Sequence, residues 1–160
     1  MKPENSINEL IKKYNQLKEK YNIPEFSKLN ETFDIEEINS ETELLLRKIR
    51  KIIGEKIANY SKFVEIILNP SNAPIFFFKI LKKLDSTDKE SLSKIYEILG
   101  NYELKNLSLD IDYKEKNEAE FIKESYNLFE KDIKNELLKI IEKLNSPEEN
   151  SQKINGNYLG

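Results

Sequence analysis

The sequence lacks several residue types on which active sites depend. None of its 160 residues is His, Cys or Trp. Histidine is the usual general base and metal ligand near neutral pH, and the cysteine thiolate is the usual soft nucleophile and zinc ligand. The absence of cysteine also excludes a disulfide scaffold and favours a reducing compartment. We therefore expect a cytoplasmic protein with no enzyme activity, no metal centre and no cofactor.

Glycine, arginine and long apolar runs are also scarce. The chain has four glycines, and none of them lies in a phosphate-binding loop motif. No run of about 18 apolar residues is present, so no membrane association is expected. The 26 basic residues include only two arginines, Arg47 and Arg50, and 29 acidic residues give a net charge of −3. Because the two signs are interspersed, the charge argues against a dedicated nucleic-acid-binding protein.

Helical periodicity is the main signal that is present. Apolar residues recur at spacings of three and four through nearly the whole chain, which predicts amphipathic helices. Three of these segments are preceded by capping-box patterns, namely Ser6/Glu9, Ser40/Glu43 and Thr87/Glu90. Agreement between start signals and periodic segments predicts an all-α fold.

The longest predicted helix runs from about Glu41 to Leu68 and is ended by Pro70. Its apolar stripe consists of Leu46, Ile49, Ile53, Ile57, Tyr60, Val64 and Ile67. We expect a single-domain bundle of five to six helices around this central helix. The helical domain is expected over residues 1–145, and a polar, disordered tail over residues 146–160.

Two segments allow alternative predictions. Residues 107–113 alternate apolar and polar side chains, as a strand does, but Leu104, Leu107 and Ile111 also have helical spacing, and helix or irregular chain is favoured. The last periodic segment, about Lys114 to Leu144, is either one helix or two with a break near residues 131–132. Its period continues through that point, which favours one helix.

A short predicted helix from about Pro74 to Leu84 contains four consecutive large apolar residues, 75–78. If its lysines mark the solvent side, Phe77 and Phe78 point inward while Ile75 and Phe76 fall on the lysine side. The preceding loop, residues 69–73, is expected to cover these two side chains. Otherwise they form an exposed apolar patch, which makes Ile75 and Phe76 candidates for an interface.

One flank of the central helix combines Arg47 and Arg50 with the small residues Gly54, Ala58 and Ser61. The first interpretation is close helix packing at Gly54 and an ordinary Glu43–Arg47 pair. The alternative is that Arg47 and Arg50 bind a partner or a phosphate, since arginine offers a planar fork of five donors. Lys48 and Lys51 are expected to face solvent. The carboxylate pairs 110/112 and 118/120 are interpreted as solvated helix faces.

The segments "ETELLLRKIRKIIGEKIANYSKFVEIIL" and "STDKESLSKIYEILGNYELKNLSL" follow each other within residues 41–109. This long basic helix, with a connector and a second helix, resembles the helical domain of GINS replication-complex subunits. The chain departs from that family because no small β domain is apparent. The resemblance implies a non-catalytic scaffold subunit in a DNA-replication assembly, with Arg47 and Arg50 on the corresponding helix.

The residues themselves, apart from the family resemblance, indicate a non-catalytic module for protein–protein interaction. The expected partner is another protein or a second copy of the chain. The alternative is a nucleic-acid-associated subunit of a replication-type assembly that uses the basic turn Arg47–Lys51. The candidate interface residues are Arg47, Arg50, Gly54, Ile75 and Phe76.

Overall fold

The computed structural model describes residues 4–147 of the chain. Within that range the helices are α1 (Glu4–Tyr21), α2 (Phe26–Phe33), α3 (Leu45–Leu68), α4 (Ile75–Leu81), α5 (Ser86–Ile111), α6 (Glu115–Leu128) and α7 (Lys134–Asn145), and no strand is present. A π-helical turn, Phe129–Ile133, joins α6 and α7 into one continuous rod. The predicted all-α class is confirmed. The predicted disordered tail lies outside the described residues, apart from Ser146 and Pro147.

Helix α3 is the central element, because it packs against α5 and α6 and also touches α2. Its predicted stripe faces the core: Leu46, Ile49, Ile53, Ile57, Val64 and Ile67 are buried, and Tyr60 is half-buried. The predicted buried stripe of α3 is therefore confirmed. The expectation that α3 is the longest helix is wrong, since α5 has 26 residues and α3 has 24.

The predicted capping boxes do not mark the helix starts. Ser6 lies inside α1, and α3 begins at Leu45, well after Ser40. Ser40 is buried instead, with its carbonyl accepting a hydrogen bond from Lys13 and its hydroxyl 3.3 Å from that of Ser6. Its side chain thus joins α1 to the chain before α3. A tertiary contact has replaced the local cap.

The third capping box is displaced by two residues. Asp85, not Thr87, caps α5: the Asp88 N–H donates to its carboxylate at 2.9 Å, and the Asp85 N–H donates back to Asp88 at 3.1 Å. The buried Asp88 carboxylate also accepts from Lys143 of α7 at 2.7 Å. The start of α5 is therefore fixed both locally and by a contact with the last helix.

The two ambiguous segments are both helical. Helix α5 continues to Ile111, so the strand alternative for residues 107–113 is wrong. The α6–α7 rod runs without a break through residues 131–132, which confirms the predicted continuity. The π turn lies at this point, because the Lys134 N–H donates to the Phe129 carbonyl across five residues. None of the helices in residues 4–147 is long and apolar enough to cross a membrane.

Candidate interaction surfaces

Arg50 is the buried centre of a polar cluster that joins α3, α5 and α6. Its side chain is fully buried, as is that of Glu118 from α6. The Arg50 Nε donates to Glu118 at 2.7 Å, and its Nη2 donates to Asp110 of α5 at 2.8 Å. Its Nη1 donates to the side-chain oxygen of Asn106 at 2.8 Å. The guanidinium therefore has partners on two neighbouring helices and cannot reach a phosphate or another protein.

The opposite charges in this cluster stabilise each other's ionised forms. Burial opposes the charge on Arg50, but the hydrogen bonds with Glu118 and Asp110 outweigh it and raise the pKa of Arg50. The Arg50 hydrogen bond also lowers the pKa of Asp110, and the nearby charges of Lys51 and Arg47 act in the same direction. Arg50 as an interface candidate is wrong. The interpretation of Glu118 as part of a solvated face is also wrong.

Gly54 lies one turn after Arg50 and packs against the Asn106 side chain of α5. A Cβ atom built on Gly54 would lie 2.5 to 2.7 Å from the side-chain atoms of Asn106. Only glycine leaves room for Asn106 to bind Arg50 there. The predicted close packing at Gly54 is therefore confirmed, and Gly54, which is buried, does not contribute to an exposed interface.

Arg47 is the arginine that remains near the surface. It is half-buried, and its guanidinium lies 5.6 Å from the centroid of the Tyr113 ring, a cation–π distance. The structure records no ion pair between Arg47 and Glu43, because Glu43 precedes α3 and the predicted helical spacing is lost. Lys48 and Lys51 are exposed, as predicted. Together with the exposed Leu44, these side chains form a basic surface at the start of α3.

Helix α4 presents an exposed apolar patch, formed by Ile75, Phe76 and Phe78. Ile75 is 85% exposed and Phe76 is 60% exposed. The expected cover by residues 69–73 is wrong, because Pro70–Asn72 form a short 3-10 turn that leaves them open. The inward orientation of Phe78 is wrong too, since this side chain is exposed and Leu81 is the buried residue of α4. Ile75 and Phe76 thus remain interface candidates.

A second apolar surface lies on α5 and was not predicted. Leu104, Leu107 and Ile111 are 67%, 56% and 81% exposed, and Tyr96 is exposed about two turns before Leu104. Gly100 lies between them with no atom within 4 Å of a built Cβ. These positions follow each other at spacings of four, four, three and four residues, so they share one face of the helix. We call this face, Tyr96–Gly100–Leu104–Leu107–Ile111, the α5 stripe.

The α5 stripe explains the misleading alternation in residues 107–113. Leu109 is buried against the bundle, whereas Leu107 and Ile111 point outward. Alternation here comes from two apolar faces of one helix and not from the two sides of a strand. The signal available in the sequence was an excess of leucine and isoleucine, because α5 carries more apolar residues than a single buried face requires.

No protein-family model matches the chain, and no curated protein or solved structure matches it either. The resemblance to the GINS helical domain therefore stays a prediction. Within residues 4–147, no group of three or more acidic, His or Cys side chains is arranged to hold a metal ion.

Proposed function

We propose that the protein is a non-catalytic helical module that binds another protein through the α5 stripe. The observation that carries this proposal is the exposure of Leu104, Leu107 and Ile111 along one face of a long helix. Apolar stripes of this kind bind a partner helix, with anchors at spacings of three and four residues. The α4 patch provides a second apolar surface of the same character.

The charges beside the stripe favour an acidic partner. The stripe ends at Ile111, directly after Asp110. The charge of Asp110 is already neutralised by its ion pair with Arg50. Arg47 and Lys51 lie close enough to Asp110 to lower its pKa. The α3 start therefore adds positive charge next to an apolar surface, which fits an amphipathic partner helix that carries acidic residues along one edge.

A second copy of the chain fits the stripe less well. The stripe spans residues 96–111, so its midpoint lies between Glu103 and Leu104. An antiparallel pair of copies would place the two Glu103 carboxylates beside each other, and like charges at such a contact are unfavourable. We therefore propose a different protein as the partner.

The nucleic-acid alternative rests on the basic turn Arg47–Lys51. Arg50 of that turn is buried in the cluster with Glu118 and Asp110, which weakens the support for this alternative. Arg47, Lys48 and Lys51 are then the basic side chains left on that turn. A nucleic-acid complex at physiological salt that is lost on changing Arg47 to Glu would restore this alternative.

A photo-crosslinking experiment in extract of the native host tests the proposed surface. p-Benzoylphenylalanine is placed at position 107 on the stripe, and, as a matched control, at position 94, where Lys94 is exposed on the polar side of α5. We expect a discrete protein adduct from position 107 and none from position 94. Equal labelling from both positions, or an adduct only to residues 148–160 of the same chain, would refute the proposal.

A further inference from the structure

A half-open apolar cavity lies between α2, α3 and the α6–α7 rod. Its volume is about 380 Å³. Its wall consists of Tyr60, Phe63, Phe129, Leu137, Leu138 and Ile141. Small-molecule sites in proteins have volumes of roughly 300–1,000 Å³ and mainly apolar and aromatic linings. This cavity has the size and lining of such a site.

Two stacked aromatic rings form part of the cavity wall. The rings of Tyr60 and Phe129 stack with their centroids 5.4 Å apart and an angle of 21° between their planes. Phe33 packs behind Phe129 at 5.8 Å and fixes that ring from the buried side. A planar aromatic ring placed in the cavity would pack against this pair, as aromatic rings do in offset-stacked or edge-to-face arrangements.

The π turn builds the cavity. At about 100° per residue, Leu137 and Ile141 would lie roughly 80° and 120° around an uninterrupted α-helix from Phe129. The wider turn at Phe129–Ile133 takes up one additional residue and rotates the following helix back by about 100°. Phe129 and the α7 side chains consequently face the same space. Such π turns are rare, and they often occur at functional sites.

The lysine and the threonine at the rim are already paired with one carboxylate. The Lys134 ammonium lies 3.3 Å from both oxygens of Glu130. The Thr32 hydroxyl lies 3.0 Å from the same carboxylate and can donate to it. Glu31 is a further carboxylate at the rim. An anionic ligand would find no unpaired positive charge at this rim, because Lys134 is already paired with Glu130, and burying an unpaired charge is strongly unfavourable.

We propose that this cavity binds a small, uncharged aromatic molecule, which packs against the stacked rings of Tyr60 and Phe129 and contacts the side chains of α7. The proposal is independent of the protein-binding role of the α5 stripe, since it involves other helices. The chain has no tryptophan, so the fluorescence of an added aromatic probe can be followed without that background.

The test uses N-phenyl-1-naphthylamine as an uncharged aromatic probe. We expect saturable binding of one molecule per chain, with a dissociation constant of about 100 μM or tighter. In methyl NMR spectra, the resonances of Leu137, Leu138 and Ile141 should shift, while those of Ile75 and Ile111 on the other surfaces stay unchanged. Absence of saturable shifts at the cavity methyls would refute the proposal, as would shifts dominated by Ile75 or Ile111.

Two variants and one charged analogue sharpen the test. Leu138→Tyr adds bulk at an exposed position of the cavity wall without introducing tryptophan and should weaken binding at least about tenfold. Ile141→Phe serves as a second filling variant, and Ile75→Ser is the matched control that should bind as the wild type does. 1-Anilinonaphthalene-8-sulfonate has the same rings with a sulfonate and should bind about tenfold more weakly. Equal binding of both probes would overturn the preference for an uncharged ligand, and unchanged binding by both filled variants would overturn the site.

Discussion

Helix α5 presents apolar residues on two faces, of which one packs against α3 and α6 and the other is open to solvent. The inward face carries Leu92, Ile95, Leu99 and Leu109, and the outward face carries Tyr96, Leu104, Leu107 and Ile111. The residue types and spacings are alike, so local chemistry does not separate the two faces. What separates them is the presence of a neighbouring helix. We interpret the inward face as the source of stability and the outward face as the source of binding.

The largest loss of stability is expected at the buried ion pair between Arg50 and Glu118. Arg50→Ala leaves the fully buried Glu118 carboxylate without its partner and should lower the free energy of unfolding by about 3–5 kcal/mol. Urea denaturation measures this. The matched control is the double variant Arg50→Met with Glu118→Leu, which removes both charges and should recover most of the loss. A single variant as stable as the wild type would show that the cluster does not hold the helices together.

The two faces can be compared directly with one pair of substitutions. Leu99→Ala removes a fully buried side chain and should lower the free energy of unfolding by about 2–5 kcal/mol. Leu107→Ala, on the outward face of the same helix, should change it by less than about 0.5 kcal/mol. Urea midpoints of the isolated chain measure both. If Leu107→Ala costs as much as Leu99→Ala, the outward face is part of the core.

Substitution by alanine of two glycines inside helices should change the free energy of unfolding in opposite directions. Gly54→Ala places a Cβ against Asn106 and disturbs its bond to Arg50, so we expect a loss of about 1–3 kcal/mol. Gly100→Ala meets open space on the outward face and should stabilise the chain by about 0.5–1 kcal/mol, since alanine is the better helix former. Thermal unfolding monitored by circular dichroism gives both signs. Destabilisation by Gly100→Ala would contradict the open position of the stripe.

The acid dependence of stability should arise from paired carboxylates. The hydrogen bond with Arg50 lowers the pKa of Asp110 below its ordinary value of 3.8. For Asp88, burial opposes its charge, but hydrogen bonds from Lys143 and the Asp85 backbone outweigh it and lower its pKa below 3.8 as well. A lowered folded-state pKa stabilises the fold above pH 3.8, and this stability is lost as the pH falls further.

We therefore expect the urea midpoint to fall as the pH is lowered below 3.8, and Asp88→Asn to flatten part of that slope. An identical slope in the wild type and Asp88→Asn would contradict the assignment.

Hydrophobic periodicity predicted much of the fold, because the buried face of α3 follows the three-and-four spacing of its apolar residues. The buried stripe from Leu46 to Ile67 could be identified before the structure was known. The helix starts could not, since Ser40 bonds to α1 and Asp85 replaces Thr87 as a cap. Capping motifs compete with tertiary contacts that a local pattern does not contain.

Whether each candidate site residue is buried or accessible depends on contacts between distant parts of the chain. Arg50 looked accessible on a helical wheel, but its partner Glu118 is 68 residues away, and only packing of α6 beside α3 brings them together. Gly54 was interpreted correctly, since a glycine within a helix suggests close approach. Ile75 and Phe76 were recognised as candidates, whereas the α5 stripe was missed because the sequence does not show which apolar face of α5 has a neighbouring helix.

The most direct test of the central claim compares stability and binding in one variant, Leu104→Asp with Leu107→Asp. Photo-crosslinking from the retained position 111 measures the partner complex, and urea denaturation measures the fold. We expect an unfolding free energy within about 1 kcal/mol of the wild type, from two surface changes of about 0.5 kcal/mol each, and loss of the crosslinked complex. A complex that survives in the folded double variant would contradict a binding role for the α5 stripe. A loss of stability as large as that of Leu99→Ala would contradict the separation of its two faces.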